Sequence, residues 1–412
     1  MALIVKTKLG NTYTYLRKSN EIVEGAVQEE IAPIVFQRQR LEKSFPNLSV
    51  FTIAITHRCN LRCTYCCYSG EYRNTRQHGH KSISSSDIDS VLDFIETYKS
   101  NTIPLTVSFY GGESLLEREL IKGFVLKSKQ KWNGNVQFEI STNGTLLKRD
   151  VVQWLVENNI VLFVSLDGTA KIQDRQRTTP KGEGTFNIVK DALAYINANY
   201  PDFYNEKVHI MMTVADVTEL PSISKDWHED FLLCNKLPLR ISTVYPNYSK
   251  GVNRFNEDEY VKIYLDLLDY YEAHQEYALL KVFFERFLAE WNARPIHDID
   301  ESIVCPTCVP VNSKLYIDID GQVCLCEKMP DIYRIGNISE GINWGMIEQQ
   351  KQMLESVIIK RCSTCPVFRL CDICPIDIDF SEAEMDVFCH NQRVIQKVKL
   401  MILCEMAERN LL

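Results

Sequence analysis

What most limits the fold of this chain is an alternation that repeats between residues 48 and 246. Short runs rich in β-branched and aromatic residues are each followed by a stretch with helical spacing. "LSVFTIAIT" (48–56) reads as a strand, and Ile88, Val91, Leu92 and Ile95 mark one stripe of a helix starting near Ser86, with 84–86 as candidate caps. "LTVSFYGGE" (105–113) precedes a helix over 116–131, and "VQFEISTNG" (136–144) precedes a helix marked by Val151, Val152, Leu155 and Val156. "IVLFVSLDG" (160–168) leads to a helix near 184–198, "VHIMMTV" (208–214) to one over 220–234, and "LRISTVYP" (239–246) closes the series. Six strand–helix units imply a parallel sheet covered by helices. Six is short of the eight that close a full barrel. The expected class is therefore α/β, a partial (β/α)6 TIM-like barrel. In such folds functional groups collect at the carboxyl ends of the strands. The first four strands end in "THRCN", "YGGES", "STNGT" and "SLDGT", polar and glycine-rich tails suited to a ligand site.

The flanks read differently. Residues 1–47 are an N-terminal extension in which "LIVKT" and "TYTYLR" turn at Gly10 and Asn11, a candidate peptide-docking hairpin. Residues 247–304 read as a helical connection, with Tyr260, Ile263, Tyr264, Leu267, Leu268 and Tyr271 on one face. From 305 to 390 the texture changes to short cysteine-rich segments with little helical period, and 391–412 reads as a C-terminal helix. The chain carries a net charge of -8, which disfavours a general nucleic-acid binder. No run approaches the roughly 18–20 apolar residues of a membrane span. The start, "MALIVKTKLG", lacks the long apolar core of a secretory signal. A cytoplasmic protein is expected, where thiols stay reduced.

In that setting fifteen cysteines argue for metal or redox chemistry over disulfides. Four fall between 59 and 67 and nine between 305 and 389; only Cys234 and Cys404 stand apart. Cys59, Cys63 and Cys66 sit on a loop directly after a strand. Structural zinc needs a fourth ligand, which His57 or Cys67 could supply, but the adjacent Cys66 and Cys67 point apart. Three thiolates on a cubane iron–sulfur cluster leave one iron open, which suits catalysis.

The CxxxCxΦC pattern, with Tyr65 in the aromatic slot, resembles the radical S-adenosylmethionine superfamily. The resemblance implies a [4Fe-4S] cluster on Cys59, Cys63 and Cys66, with S-adenosylmethionine on the open iron and a 5′-deoxyadenosyl radical that abstracts hydrogen. It implies that Gly111, Gly112 and Glu113 meet the methionine ammonium, and that Ser141, Asn143, Ser165 and Asp167 face the cofactor. "IQDRQRTTPKGEGTF" resembles a family segment that brings Arg177 toward the cofactor carboxylate, with Gln173 in place of the usual His. Cys67 is left as a bystander beside Cys66.

The downstream cysteines resemble the SPASM extension, which carries two auxiliary [4Fe-4S] clusters, three in all with the catalytic one. The first would use Cys305, Cys308, Cys326 and Cys374, the second Cys362, Cys365, Cys371 and Cys389. Cys374 follows Cys371 after two residues where the family has three. Cys324 competes with Cys326, and a spare Cys305 would leave the first auxiliary cluster with an open iron. SPASM enzymes act mostly on peptides or proteins. The resemblance implies a maturase of ribosomally made precursor peptides that forms a thioether, carbon–carbon or related crosslink. The alternative is a sulfatase-type maturase that oxidises Cys or Ser to formylglycine. That type carries an Asp base after the Gly-x4-Cys cysteine, where this chain has Glu327. A reducing partner such as flavodoxin or ferredoxin is implied. An iron–sulfur electron carrier or a zinc scaffold is the reading of another class, and neither needs the polar strand ends.

Overall fold

The structure is a computed structural model that describes residues 2–38, 40–70, 76–244, 253–303, 313–329, 331–377 and 380–412. Three antiparallel strands open the chain, β1 (Leu3–Lys6), β2 (Thr12–Leu16) and β3 (Glu21–Glu24). The expected hairpin is therefore one strand larger, because Glu21–Glu24 pairs with β2 after a turn at Asn20, whose φ is 67°. Next comes β4 (Val35–Gln37). Six strands then lie side by side and parallel: β5 (Val50–Thr56), β6 (Leu105–Gly111), β7 (Val136–Thr142), β8 (Val161–Ser165), β9 (Val208–Val214) and β10 (Arg240–Thr243). Their spatial order follows the chain, as short right-handed crossovers dictate.

The strands have two unlike faces. Phe51, Ile53, Val107, Phe109, Phe138, Ile140, Leu162, Val164 and Ile210 point one way and are buried, covered by helices such as Ile88–Tyr98, Arg118–Lys131 and Phe186–Asn199. The alternate positions point into the concave side. Register aligns Thr52 with Ser108, Ser141 with Phe163, Ser165 with Met211, and Met211 with Arg240. This face is studded with hydroxyls, so it is built to be wetted or to hold a ligand.

The sheet does not stop at the sixth unit. β11 (Glu301–Ile303) pairs with β4, and β12 (Lys314–Ile317) adds to β5 in parallel. β13 (Gln322–Cys324), β14 (Gly336–Asn337) and β15 (Gly341–Ile342) extend it antiparallel to ten strands. The cysteine-rich segment is thus hydrogen-bonded onto the barrel edge. Three helical expectations need correction. The helix expected over 220–234 ends at Glu229. The segment of little helical period contains a 19-residue helix, Trp344–Cys362. Its inward face includes Gln350, Lys351 and Glu355, with Lys351 and Glu355 paired at 2.9 Å, which hides the apolar stripe. The last helix begins at Glu382, not 391, behind a capping box formed by Ser381 and Glu384, and so carries Cys389. No helix among the described residues is long and apolar enough to cross a membrane.

Candidate active site

A cavity of about 710 Å³ opens on the concave face at the strand ends. Cys59, Cys63 and Cys66 line it together, on the loop that follows β5. The loop is held by backbone bonds to its neighbours: Arg62 N–H donates to Thr178 O (2.7 Å) and Thr64 N–H to Gln176 O (2.9 Å). The sulfurs receive N–H groups. Leu61 N lies 3.4 Å from Cys59 Sγ, Tyr68 N 3.4 Å from Cys66 Sγ, and Arg177 Nη1 4.0 Å from Cys63 Sγ. Burial pushes the Cys59 thiol up to about 12 and that of Cys63 to about 11. As buried neutral thiols they are stable, and as thiolates they need a positive charge at the site. Three cysteines on one cavity wall, with N–H donors at their sulfurs, are a donor set that fits an iron–sulfur cluster. Among the described residues no three His, Cys, Asp or Glu gather around a single-ion site.

The glycines after β6 close the loop from behind. A Cβ on Gly112 would sit 2.1 Å from Arg58 O, and one on Gly111 (φ +132°) 2.3 Å from Thr56 O. Only glycine permits this approach. Both line the cavity, with Ser141, Asn143, Ser165, Tyr65 and Arg177.

Two of the residues expected at the cofactor, Glu113 and Asp167, are buried and are not among those that line the cavity. Glu113 is fully buried off the cavity wall. Its carboxylate accepts from Thr142 Oγ1 (2.8 Å), Asn143 N (2.7 Å) and Leu115 N (3.1 Å). It therefore knits the glycine strand end to the next one. Burial raises its pKa against the pull of those donors. Asp167 is also fully buried away from the wall. It accepts from Arg177 Nε (2.7 Å), Thr213 N (2.9 Å) and the Tyr65 hydroxyl. Arg177 is buried, which alone would lower its pKa, but the Asp167 charge outweighs this and keeps the guanidinium charged. Gln173, the departure from the family's His, sits in this network. Its Oε1 accepts from Asp167 N (2.9 Å) and its Nε2 donates to Thr185 Oγ1 (3.2 Å).

Glu327 reaches the same cavity and pairs with Lys314 at 2.6 Å. Burial would raise its pKa, but Lys314 lowers it further, leaving a carboxylate. Cys67 also lines the cavity beside Cys66. The wall further includes Phe163, Met211, Met212, Arg240, Phe283, Arg286, Phe287, Lys328 and Lys399, none of which the sequence singled out. The missed signal was the alternation within the strands, such as Thr52, Ala54 and Thr56 against Phe51, Ile53 and Ile55.

The downstream cysteines divide. Cys305 and Cys308 lie outside the described residues. Cys326 is half-buried beside Glu327, and Cys374 N–H donates to Asp377 Oδ2 at 2.9 Å. Cys362, Cys365, Cys371 and Cys389 come together. Burial raises the Cys371 thiol, and the Cys362 and Cys365 charges raise it further; Cys362 is pushed up to about 12 by burial, then by Cys365 and Cys389. Cys324 is fully buried, with Arg76 Nη2 3.7 Å from its sulfur. Cys404 is buried in the last helix, and Cys234 Sγ lies 3.5 Å from Phe231 O.

The model of the radical SAM superfamily matches residues 53–219. The cysteine-type anaerobic sulfatase-maturating enzyme of Clostridium novyi is 31% identical over 164 residues, which cover 39% of this chain and 42% of that one, so the match spans under half of that relative. The enzyme of the same name from Clostridium perfringens is 23% identical over 365 residues, 84% of this chain and 95% of that one. Native anSMEcpe with bound AdoMet shares the fold at a TM-score of 0.63 with 18% identity, over 88% of this chain and 100% of that one. The same protein with bound AdoMet and Cp18Cys peptide gives 0.61 and 18%, over 88% and 99%.

Proposed function

We propose that the chain is a radical SAM maturase that abstracts a hydrogen atom from a peptide or protein, on the premise that the radical SAM superfamily model matches residues 53–219. One observation carries the reading: Cys59, Cys63 and Cys66 share a single cavity with the carboxylate of Glu327. Cys59, Cys63 and Cys66 would hold the catalytic cluster, and Gly111, Gly112, Ser141, Asn143, Ser165 and Arg177 would cradle S-adenosylmethionine. Cys362, Cys365, Cys371 and Cys389 would hold one auxiliary cluster, and Cys326 and Cys374 would join Cys305 and Cys308 on another. When bound, these groups would supply the hydrogen-abstracting 5′-deoxyadenosyl radical and an acceptor for the remaining electron. The chain's own residues position the substrate side chain, exclude water and take its proton.

Oxidation of a Cys or Ser side chain is the reading that Glu327 favours. It stands where sulfatase-type enzymes carry their Asp, and as a carboxylate it can take the thiol or hydroxyl proton as the carbon–heteroatom double bond forms. The relatives named as sulfatase-maturating enzymes support the same reading. Crosslinking, the first expectation from sequence, stands second; the longer Glu and its pairing with Lys314 favour it by weakening the match to that base.

The test is anaerobic reconstitution with iron and sulfide, then S-adenosylmethionine, a reductant and a Cys-containing peptide. The expected result is about twelve irons per chain, roughly four per cubane, and 5′-deoxyadenosine coupled to peptide product. Product that has lost sulfur and gained an aldehyde identifies oxidation; loss of two hydrogens with sulfur retained identifies a crosslink. Glu327→Gln is expected to cut peptide oxidation by about 100-fold or more while 5′-deoxyadenosine still forms. A fully loaded protein that never releases 5′-deoxyadenosine would sink the proposal.

A further inference from the structure

The cavity wall carries charge of the sign opposite to the chain as a whole. The chain's net charge is -8. Yet the cavity is lined by six cations, Arg177, Arg240, Arg286, Lys314, Lys328 and Lys399, and by one carboxylate, Glu327. Three of the cations are answered within the protein. Arg177 pairs with Asp167, Lys314 with Glu327, and Lys399 with Glu290. Arg240, Arg286 and Lys328 make no ion pair among the described residues, and all three are exposed and line the cavity.

Their positions are specific. Arg240 opens β10 and aligns with Met211, which aligns in turn with Ser165, so it stands on the concave face in line with the strand ends. Arg286 comes from the helix Ala278–Phe287, which brings Phe283 and Phe287 to the same wall. One side of the cavity thus combines two unpaired guanidinium groups with aromatic rings and Met211 and Met212. Arg177 already stands by the cysteine loop, paired to Asp167, so one cofactor carboxylate leaves Arg240 and Arg286 without an ion-pair partner among the described residues. A guanidinium presents a planar fork of donors that matches a carboxylate in a bidentate way. A cleft lined by charge of one sign focuses the field, drawing in anions and repelling cations.

Resting on the maturase reading above, we propose that the substrate peptide carries a carboxylate close to its modified residue, and that Arg240 and Arg286 seat it. The carboxylate is an Asp or Glu side chain or the peptide's own C-terminus. Glu327 remains the base, and the cationic wall sets the specificity.

The experiment measures binding, in the reconstituted holoenzyme with S-adenosylmethionine present. Fluorescent synthetic peptides hold one central Cys and differ only in their flanking residues, Glu, Gln or Lys, each with a free or amidated C-terminus. The Glu peptides are expected to bind about tenfold or more tighter than the Lys peptides, with an affinity that falls as salt is raised. If only free-acid peptides gain, the C-terminus is the source; if amidation is neutral, the side chain is. The double variant Arg240→Glu with Arg286→Glu is expected to reverse the order, so that Lys peptides bind tighter, a gain that misfolding cannot produce. Equal binding of all peptides, tighter binding of the Lys peptides to the parent protein, or an unreversed order in the double variant overturns the proposal. So does tight, Arg240-dependent binding of GTP with no preference for Glu peptides, which would mark a phosphate site. These outcomes leave the maturase reading standing, whereas absence of 5′-deoxyadenosine from the loaded enzyme strikes that reading itself.

Discussion

The two cysteine regions hold thiols of the same chemistry, equally half-buried, but only one of them borders the cavity. Cys59, Cys63 and Cys66 come from one short loop, and their sulfurs border a cavity of about 710 Å³. Cys362, Cys365, Cys371 and Cys389 come from the end of one helix, a turn, a 3-10 segment and the first turns of the last helix. None of these four lines that cavity. Both sets are half-buried, but the first has three sulfurs on the cavity wall and the second four sulfurs away from it. A site that must bind and cleave a cofactor needs that space. A site that only stores or passes electrons gains from being closed, since full ligation leaves nothing to react. The supports differ as well. The first loop is positioned by glycines and backbone bonds at the end of an interior strand, the second by two successive helices and the turn between them.

The comparison breaks most sharply at Cys63. Cys63→Ala is expected to reduce 5′-deoxyadenosine formation to background, measured by chromatography of the anaerobic reaction. Next comes Gly112→Ala, which places a methyl group 2.1 Å from Arg58 O. Because the obstacle is backbone, the loop itself must shift, and we expect a loss of about 2–3 kcal/mol in stability, read by thermal denaturation, with impaired S-adenosylmethionine binding. Cys371→Ala should act on the other region alone. Iron is expected to fall by about four per chain, with 5′-deoxyadenosine formation retained; loss of both together would show that the two regions do not act separately. The smallest effect belongs to Cys67→Ala. Cys67 borders the cavity but is left out of the three-sulfur set, so 5′-deoxyadenosine formation is expected to stay within about twofold of the parent. A dead Cys67→Ala variant would make it a fourth member of the site.

Much of the first region could be read from the chain because its determinants are local. A strand, its polar tail and three cysteines in eight positions are contiguous, and the glycines that face them sit at the end of the neighbouring strand. What sequence could not show was which buried donors hold the carboxylates. Glu113 and Asp167 were expected on the wall, yet each is turned inward to satisfy buried donors. A carboxylate is drawn to unsatisfied backbone N–H groups as strongly as to a ligand, and a motif does not reveal which competes better. The helix Trp344–Cys362 escaped notice for a related reason, since its buried face includes the Lys351–Glu355 pair.

Sequence by itself determined the parallel sheet, the cysteine loop and the glycine approach, because period, spacing and the absence of a side chain act over a few residues. Only the tertiary structure decided the character of the cavity. Arg240, Arg286, Lys314, Glu327 and Lys399 lie on a strand, a connecting helix, the sheet extension and its following turn, and the last helix. Their charges add only because packing places them around one space. An acidic chain can thus hold a cationic chamber, since electrostatic interaction depends on distance in space and not along the chain.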